Sequence, residues 1–329
     1  MPNKRSPRHG SMGVWPRKRA IKETPRIRSW TNKKEPGLLG FVGYKAGMTH
    51  VHYINNRKAS ITKGEELQSP VTIVECPPLK LAAVRFYKNT IKGRTVSTEI
   101  HFKADKELAR KKTMPKKLDD KKLDTIKPEE YDDLVVLLYT QPKLTGIGKK
   151  KPAFFEMGLG GSKEDKLTWV KEHIGKEIPV SEVLQEGQQY DTIAVTTGRG
   201  FQGPVKRFGI GLKSHKAEKS RRNPGSLGGW KGHGHFMYRV AHAGQTGYHR
   251  RTEYNKWLLK ILEAPEEINP KGGIVRYGFV KNTCVLFKGS IQGPKKRLVR
   301  INVGQRTTTR IPKEAPDITN ISLASPQGV

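Results

Sequence analysis

Acidic residues are scarce in this chain. Its 329 residues include 30 Asp or Glu against 63 Lys or Arg, so the formal net charge is +33. One-signed charge at that density repels itself and opposes compaction unless a polyanion accepts it, and nucleic acid is the usual polyanion. Long apolar runs are also missing. The longest, Leu134 to Tyr139, falls far short of the roughly 20 residues a membrane-spanning helix needs, so no membrane partner is expected. No apolar segment follows the basic N-terminus, which argues against a secretory signal. Pro2, Pro7, Gly10, Gly13, Pro16 and Pro25 interrupt any amphipathic transit helix, so a cytoplasmic location is expected. Cysteine is nearly absent. Cys76 and Cys284 have no CxxC partners, which signals neither a zinc site nor a disulfide framework and suits two small buried residues in a reducing compartment. Hydrophobic residues are only 34% of the chain, enough for a core but implying much extended or loop-like chain.

The positive charge is unevenly placed. Residues 1–36 carry eleven Lys/Arg and two acids, residues 37–103 ten and four, and residues 104–190 seventeen and sixteen. Residues 198–251 carry twelve and one, and residues 281–313 nine and none. A nearly neutral segment among basic ones implies separate RNA-facing and solvent-facing parts.

Residues 1–36 show no hydrophobic period and read as an extended basic arm without a core of its own. From Gly37 short β-forming runs follow: 37–54, VTIVEC (71–76) and LAAVRFYK (81–88), punctuated by Gly and Pro. Residues 104–175 change character. A charged, helix-permissive stretch runs to Met114, DLVVLLYTQ (133–141) reads as a buried strand, and 162–175 reads as a helix. Ser162 and Asp165 fit a capping box there, with Leu167, Val170 and Ile174 on one face. Strands are expected again at 178–184, 192–197, 272–280, 283–291 and 297–303, a helix at 252–262, and a tight hairpin at Lys281-Asn282. The fold class expected is mainly β with an α+β insertion. Residues 37–103 and 176–313 would form a barrel-like core, 104–175 the insert, 208–250 a long loop extension, and 314–329 a surface-laid tail. Neither 1–36 nor 208–250 has a period that could bury a core, so both are expected to order only against RNA.

The glycine-rich motif GRGFQG (198–203) matches a dinucleotide-binding fingerprint, but Gly209 and Gly211 interrupt the helix that should follow. No carboxylate lies about twenty residues on. His233, His235, His242 and His249 suggest a metal site, yet no carboxylate or thiolate completes a ligand set. Glu218 is the only acid in 198–251, so no carboxylate pair serves acid–base catalysis, and no nucleophile elbow exists. No cofactor and no enzymatic activity are expected. An RNA-modifying enzyme and a DNA-compacting protein are the rival classes. What the segment does offer is rings among cations: Phe201, Phe208, Trp230, Phe236, Tyr238 and Tyr248. Cations neutralise phosphates, rings stack on exposed bases, and glycine lets backbone approach RNA closely.

The stretch LQEGQQYDTIAVTTGRGFQGPVKR (184–207) resembles the signature segment of the universal ribosomal large-subunit protein three family. PRHGSMGVWPRKRA (7–20), FVGYKAGMTH (41–50), NPGSLGGW (223–230) and RVAHAGQTGYHRRT (239–252) resemble it too, over essentially the whole chain and in the archaeal style. The resemblance implies a β-barrel of the translation-protein type, an inserted second domain and extensions reaching into ribosomal RNA. It implies binding of large-subunit ribosomal RNA near its 3′ end, nucleation of assembly, and proteins fourteen and twenty-four-e as neighbours. Trp230 matches a loop-tip tryptophan near the peptidyl-transferase centre. His215 aligns with a histidine modified in some relatives, in different surroundings here (KSHKAEKS). Taken together, the candidate RNA-binding residues are Arg5, Arg8, His9, Trp15, Arg17, Lys18 and Arg19 in the arm, and Lys45 in the first strand region. The central segment adds Arg199, Arg207, Lys213, His215, Arg221, Arg222, Trp230, Lys231, His233, His235, Arg239, Gln245, His249, Arg250 and Arg251. Lys295, Lys296 and Arg297 complete the set.

Overall fold

A computed structural model describes residues 7–115, 118, 122–228 and 239–324. The strands are β1 (Gly37–Leu38), β2 (Gly40–Ile54), β3 (Glu66–Glu75), β4 (Leu79–Thr90), β5 (Gly93–His101), β6 (Asp133–Thr140), β7 (Phe154–Gly160) and β8 (Glu177–Ile178). They continue as β9 (Gln189–Val195), β10 (Gly198–Gln202), β11 (Gly244–Gly247), β12 (Arg250–Leu262), β13 (Cys284–Lys288), β14 (Leu298–Val303) and β15 (Ile318–Ile321). The α-helices are short: α1 (Lys122–Thr125), α2 (Lys163–Glu172), α3 (Val180–Val183) and α4 (Pro204–Phe208). The chain is mainly β and divides into two compact units. The larger comprises Glu23–Ala194 and Arg251–Val329, the smaller Met1–Lys22 and Val195–Arg250.

In the larger unit one sheet runs β14-β9-β12-β13-β3-β2-β15, and β14 also pairs with β2. Six strands therefore close on themselves, which removes open sheet edges, and β15 of the tail adds outside them along Val51–Tyr53. The doubly paired β2 makes closure possible. Its Gly40–Tyr44 half faces Leu298–Asn302 of β14 while Tyr44–Ile54 faces β3. A Cβ at Gly40 would stand 2.3 Å from the Ile301 carbonyl oxygen, and one at Gly43 2.5 Å from a Val74 methyl. Only glycine permits so close an approach.

The second sheet runs β1-β7-β6-β4-β5, with β8 beside β4. It draws strands from both sides of residue 104. One apolar core joins the two sheets, with Phe41, Val74 and Val299 from the first packed in the same cluster as Leu81, Val136 and Met157 from the second. Helix α2 carries the expected capping box: the Asp165 amide donates to Ser162 Oγ (3.2 Å) and the Ser162 amide to Asp165 Oδ2 (3.0 Å). Trp169 and Val170 bury its inner face. Cys76 and Cys284 are both buried, and desolvation pushes the Cys284 thiol up to about 12.

Four local expectations are corrected. Residues 252–262 are not a helix but the bulk of β12. Leu258 joins one buried cluster while Trp257 and Leu259 join another, the alternation of a strand buried on both faces. Residues 178–184 are not a strand beyond Ile178. Pro179 has no amide to continue a ladder, and α3 begins after it. The stretch up to Met114 contributes only a single 3-10 turn, Lys106–Arg110. Residues 272–280 form a loop with one bridge, Ile274 to Gly278, so Lys281-Asn282 is no hairpin turn.

Buried Glu75 explains that loop. Its Oε1 accepts from the amides of Lys281 (2.9 Å) and Asn282 (3.0 Å) and from Asn282 Nδ2 (2.7 Å), and its Oε2 accepts from the Tyr277 hydroxyl. Burial and this carboxylate push the Tyr277 phenol far up. The loop's backbone donors are thus spent on one side chain rather than on a neighbouring strand. Glu75→Ala should destabilise the chain by about 2–4 kcal/mol in denaturant unfolding, because several buried donors lose their acceptor. A change below about 0.5 kcal/mol would show that water replaces the carboxylate without cost.

Candidate nucleic-acid interface

Cations in the two units are compensated differently. On the second sheet they meet carboxylates: Lys80 with Asp105 (3.0 Å) and Glu177 (3.3 Å), Arg85 with Glu99 (2.6 Å) and Glu156, Arg94 and Lys166 with Asp133. The smaller unit has 18 Lys or Arg and one acid, Glu218. Its neutralisation must come from backbone dipoles or from outside.

The arm is extended, with no regular element among residues 7–36. It has partners within the chain. Arg8 Nη1 donates to the Arg239 carbonyl (2.9 Å), and the Ala20 amide donates to the Tyr248 carbonyl (2.8 Å). The Trp15 ring lies 6.0 Å from that of Phe208, which is itself buried and so belongs to a small core. The guanidinium of Arg17 sits 4.8 Å over Phe208, and that of Arg19 5.0 Å over Tyr248. Farther on, in the larger unit, Trp30 covers Gly158: a Cβ there would meet the indole at 2.8 Å.

β10 and β11 form a two-stranded ribbon that pairs Phe201 with Gln245 and Gly200 with Thr246. The first two motif glycines thus sit in one strand of a two-stranded ribbon, and α4 after it is stopped by left-handed Gly209. Along this ribbon and beyond it Arg199, Lys213, His215, Arg221, Arg222, Arg239 and Arg250 are exposed, as are Arg8, His9, Lys18 and Arg19 in the arm. Three candidates turn inward. His249 is buried, its Nδ1 2.9 Å from the Lys18 carbonyl and its Nε2 accepting from the Gly247 amide (3.1 Å). Gln245 is half-buried and donates to the Gly247 carbonyl (3.0 Å). Arg207 is half-buried among carbonyl oxygens. Arg5, Trp230, Lys231, His233 and His235 lie outside the described residues, as do Phe236 and Tyr238.

In the larger unit, Lys45 donates to the carbonyls of Ile291 (2.5 Å) and Gly293 (3.1 Å), and Lys295 to that of Val275 (2.6 Å). Lys296 is exposed, and Arg251 and Arg297 are half-buried, Arg297 being 4.0 Å from Glu23. Burial lowers the Lys45 ammonium, as do Lys295 and Lys256 nearby, against the opposing pull of Glu253. Burial lowers Arg17 and Arg207 as well, with Arg8 beside the former and Arg17 beside the latter. Each of these shifts comes first from burial, as expected of cations turned toward the protein rather than held out in solvent.

Exposed Lys206, Lys216 and Lys219 were not among the candidates, although the acid-poor composition around them was a sufficient signal. Phe201 was noted only as a ring among cations. It is 76% exposed, two residues from Arg199, a flat apolar face held out beside a cation on the ribbon.

Geometry and charge together define a class: a β protein with one internally neutralised sheet and one basic, carbonyl-braced unit suited to a polyanion. The chain belongs to the ribosomal protein L3 family, whose model matches residues 1–328. It is 48% identical to the large ribosomal subunit protein uL3 of Methanothermobacter thermautotrophicus over 333 residues, 98% of each chain. The same protein of Methanosphaera stadtmanae is also 48% identical over 98% of each chain, and that of Archaeoglobus fulgidus 47% identical over 98% of each.

Replacing Phe201 with Ala should weaken binding to large-subunit ribosomal RNA by about 1–3 kcal/mol and leave the melting temperature of the free protein unchanged. A lowered melting temperature with unaltered RNA affinity would make the ring a core residue instead.

Proposed function

We propose that the chain is a primary ribosomal RNA-binding protein of the large subunit. Membership of the family makes it a structural constituent of that subunit and places it in the cytoplasmic ribosome. In the finer reading it binds large-subunit ribosomal RNA near the 3′ end and nucleates subunit assembly. The 208–250 segment reaches toward the peptidyl-transferase centre, with proteins fourteen and twenty-four-e as neighbours. The ring of six strands is read as a translation-type barrel, and residues 104–175 as the inserted α+β part. The observation that carries this reading is the smaller unit's composition, 18 cations to one acid, with eleven of the proposed contacts exposed there. Direct protein–phosphate contacts release condensed counterions, so affinity must fall with salt. A single acid in that unit favours binding over acid–base chemistry.

A titration of the intact chain against the 3′-terminal domain of large-subunit ribosomal RNA tests this. Six to ten phosphate contacts give a log–log salt slope of about −4 to −9. A slope shallower than about −2 would remove the electrostatic basis of the proposal.

A further inference from the structure

Four backbone carbonyls converge on one side chain in the smaller unit. Arg207 Nε donates to Gln245 (3.1 Å), Nη1 to His242 (2.9 Å) and Ala243 (3.4 Å), and Nη2 to Arg17 (3.3 Å). Two of these carbonyls belong to the chain entering β11, one to β11 itself and the fourth to the N-terminal arm, some 190 residues away in sequence. The fit is close: a Cβ on Gly244 would stand 2.9 Å from the guanidinium. The next residue, Phe208, supplies the apolar side of the same joint. Trp15 and the Arg17 guanidinium flank its ring, and Gly10 approaches so closely that a Cβ there would lie 2.6 Å from it. The far end of the joint is made by Ala20 on Tyr248 and by His249 on Lys18. Because His249 Nε2 accepts from the Gly247 amide, the ring proton sits on Nδ1 and is donated to the Lys18 carbonyl.

The geometry points to Arg207 as a positioning residue rather than a phosphate contact. It clamps arm residues 8–20 to residues 239–249 in the free protein, so that Arg8, Lys18, Arg19 and Arg250 meet RNA as one preformed surface. A planar fork with five donors reaches carbonyls in several directions at once, which a lysine ammonium on a flexible stem does not. Ordering the arm in advance removes a conformational cost that RNA binding would otherwise bear. The second half of this inference rests on the ribosomal RNA reading, and the first half does not.

Two measurements on the full chain separate the halves. In the free wild-type protein the Ala20 amide should be protected from hydrogen exchange. An unprotected Ala20 overturns the clamp whatever the RNA does. In Arg207→Lys, trypsin should cut after Arg17, Lys18, Arg19 and Lys22 roughly tenfold faster than in wild type, while sites in 281–313 are cut as before. The same variant should bind ribosomal RNA markedly more weakly although its charge is kept. If Arg207 touched phosphate instead, RNA affinity would change on substitution while arm cleavage matched wild type. That pair of results refutes the inference. If Arg207→Lys unfolds as a whole, seen as faster cutting in 281–313, the wild-type Ala20 protection alone decides. Failure of wild-type protein to bind the RNA at all would count against the functional reading and leave the clamp standing on Ala20.

Discussion

Repulsion among like charges is the constraint to which the rest of the structure answers. A net charge of +33 must be distributed so that the chain still folds. The larger unit does this with ion pairs and a continuous apolar core shared by two sheets. Half-buried pairs such as Arg85 with Glu99 contribute modestly to stability, but they keep the second sheet nearly neutral and unattractive to phosphate. The smaller unit has no such supply of carboxylates. It uses carbonyl oxygens, which partly offset a guanidinium without cancelling its charge, and so retains its positive field for an external anion.

The same device recurs deep in the larger unit. Arg300 is fully buried, donates to the carbonyls of Pro25 and Glu156, and lies between the rings of Trp30 and Phe155. Burial pushes it down to about 9, with Glu156 opposing. It fastens residues 25–30 onto β7. Glu75 is the acidic counterpart, collecting hydrogen-bond donors from a loop that would otherwise have to find a strand. Buried charges here hold irregular chain in place where a ladder does not.

What was legible in the sequence follows from what has a local signature. The capping box at Ser162 and Asp165, the apolar run at 133–141 and the strands around 71–88 all showed, because their signals lie within a few adjacent residues. The strand at 252–262 did not. KWLLKIL is apolar on both sides, and such a run fits a buried strand or helix equally until pairing partners are known. The basic surface was legible as composition. The division of labour within it was not, because Arg207, Lys45 and Lys295 are engaged by backbone carbonyls, which every residue has and no sequence pattern marks. A cation turned inward and one turned to phosphate are spelled alike.

The central claim is that cations are compensated differently along the chain: those of the second sheet and its neighbours meet carboxylates, while the smaller unit's 18 cations, set against one acid, are left for RNA. Lysine acetylation of free protein and of intact large subunits tests it directly. Lys18, Lys22, Lys206, Lys213, Lys216 and Lys219 are exposed in the smaller unit, and Lys127, Lys163 and Lys176 in the larger. The account predicts that assembly shields the first group and leaves the second reactive. Equal shielding of both groups, or shielding of the second alone, would contradict it.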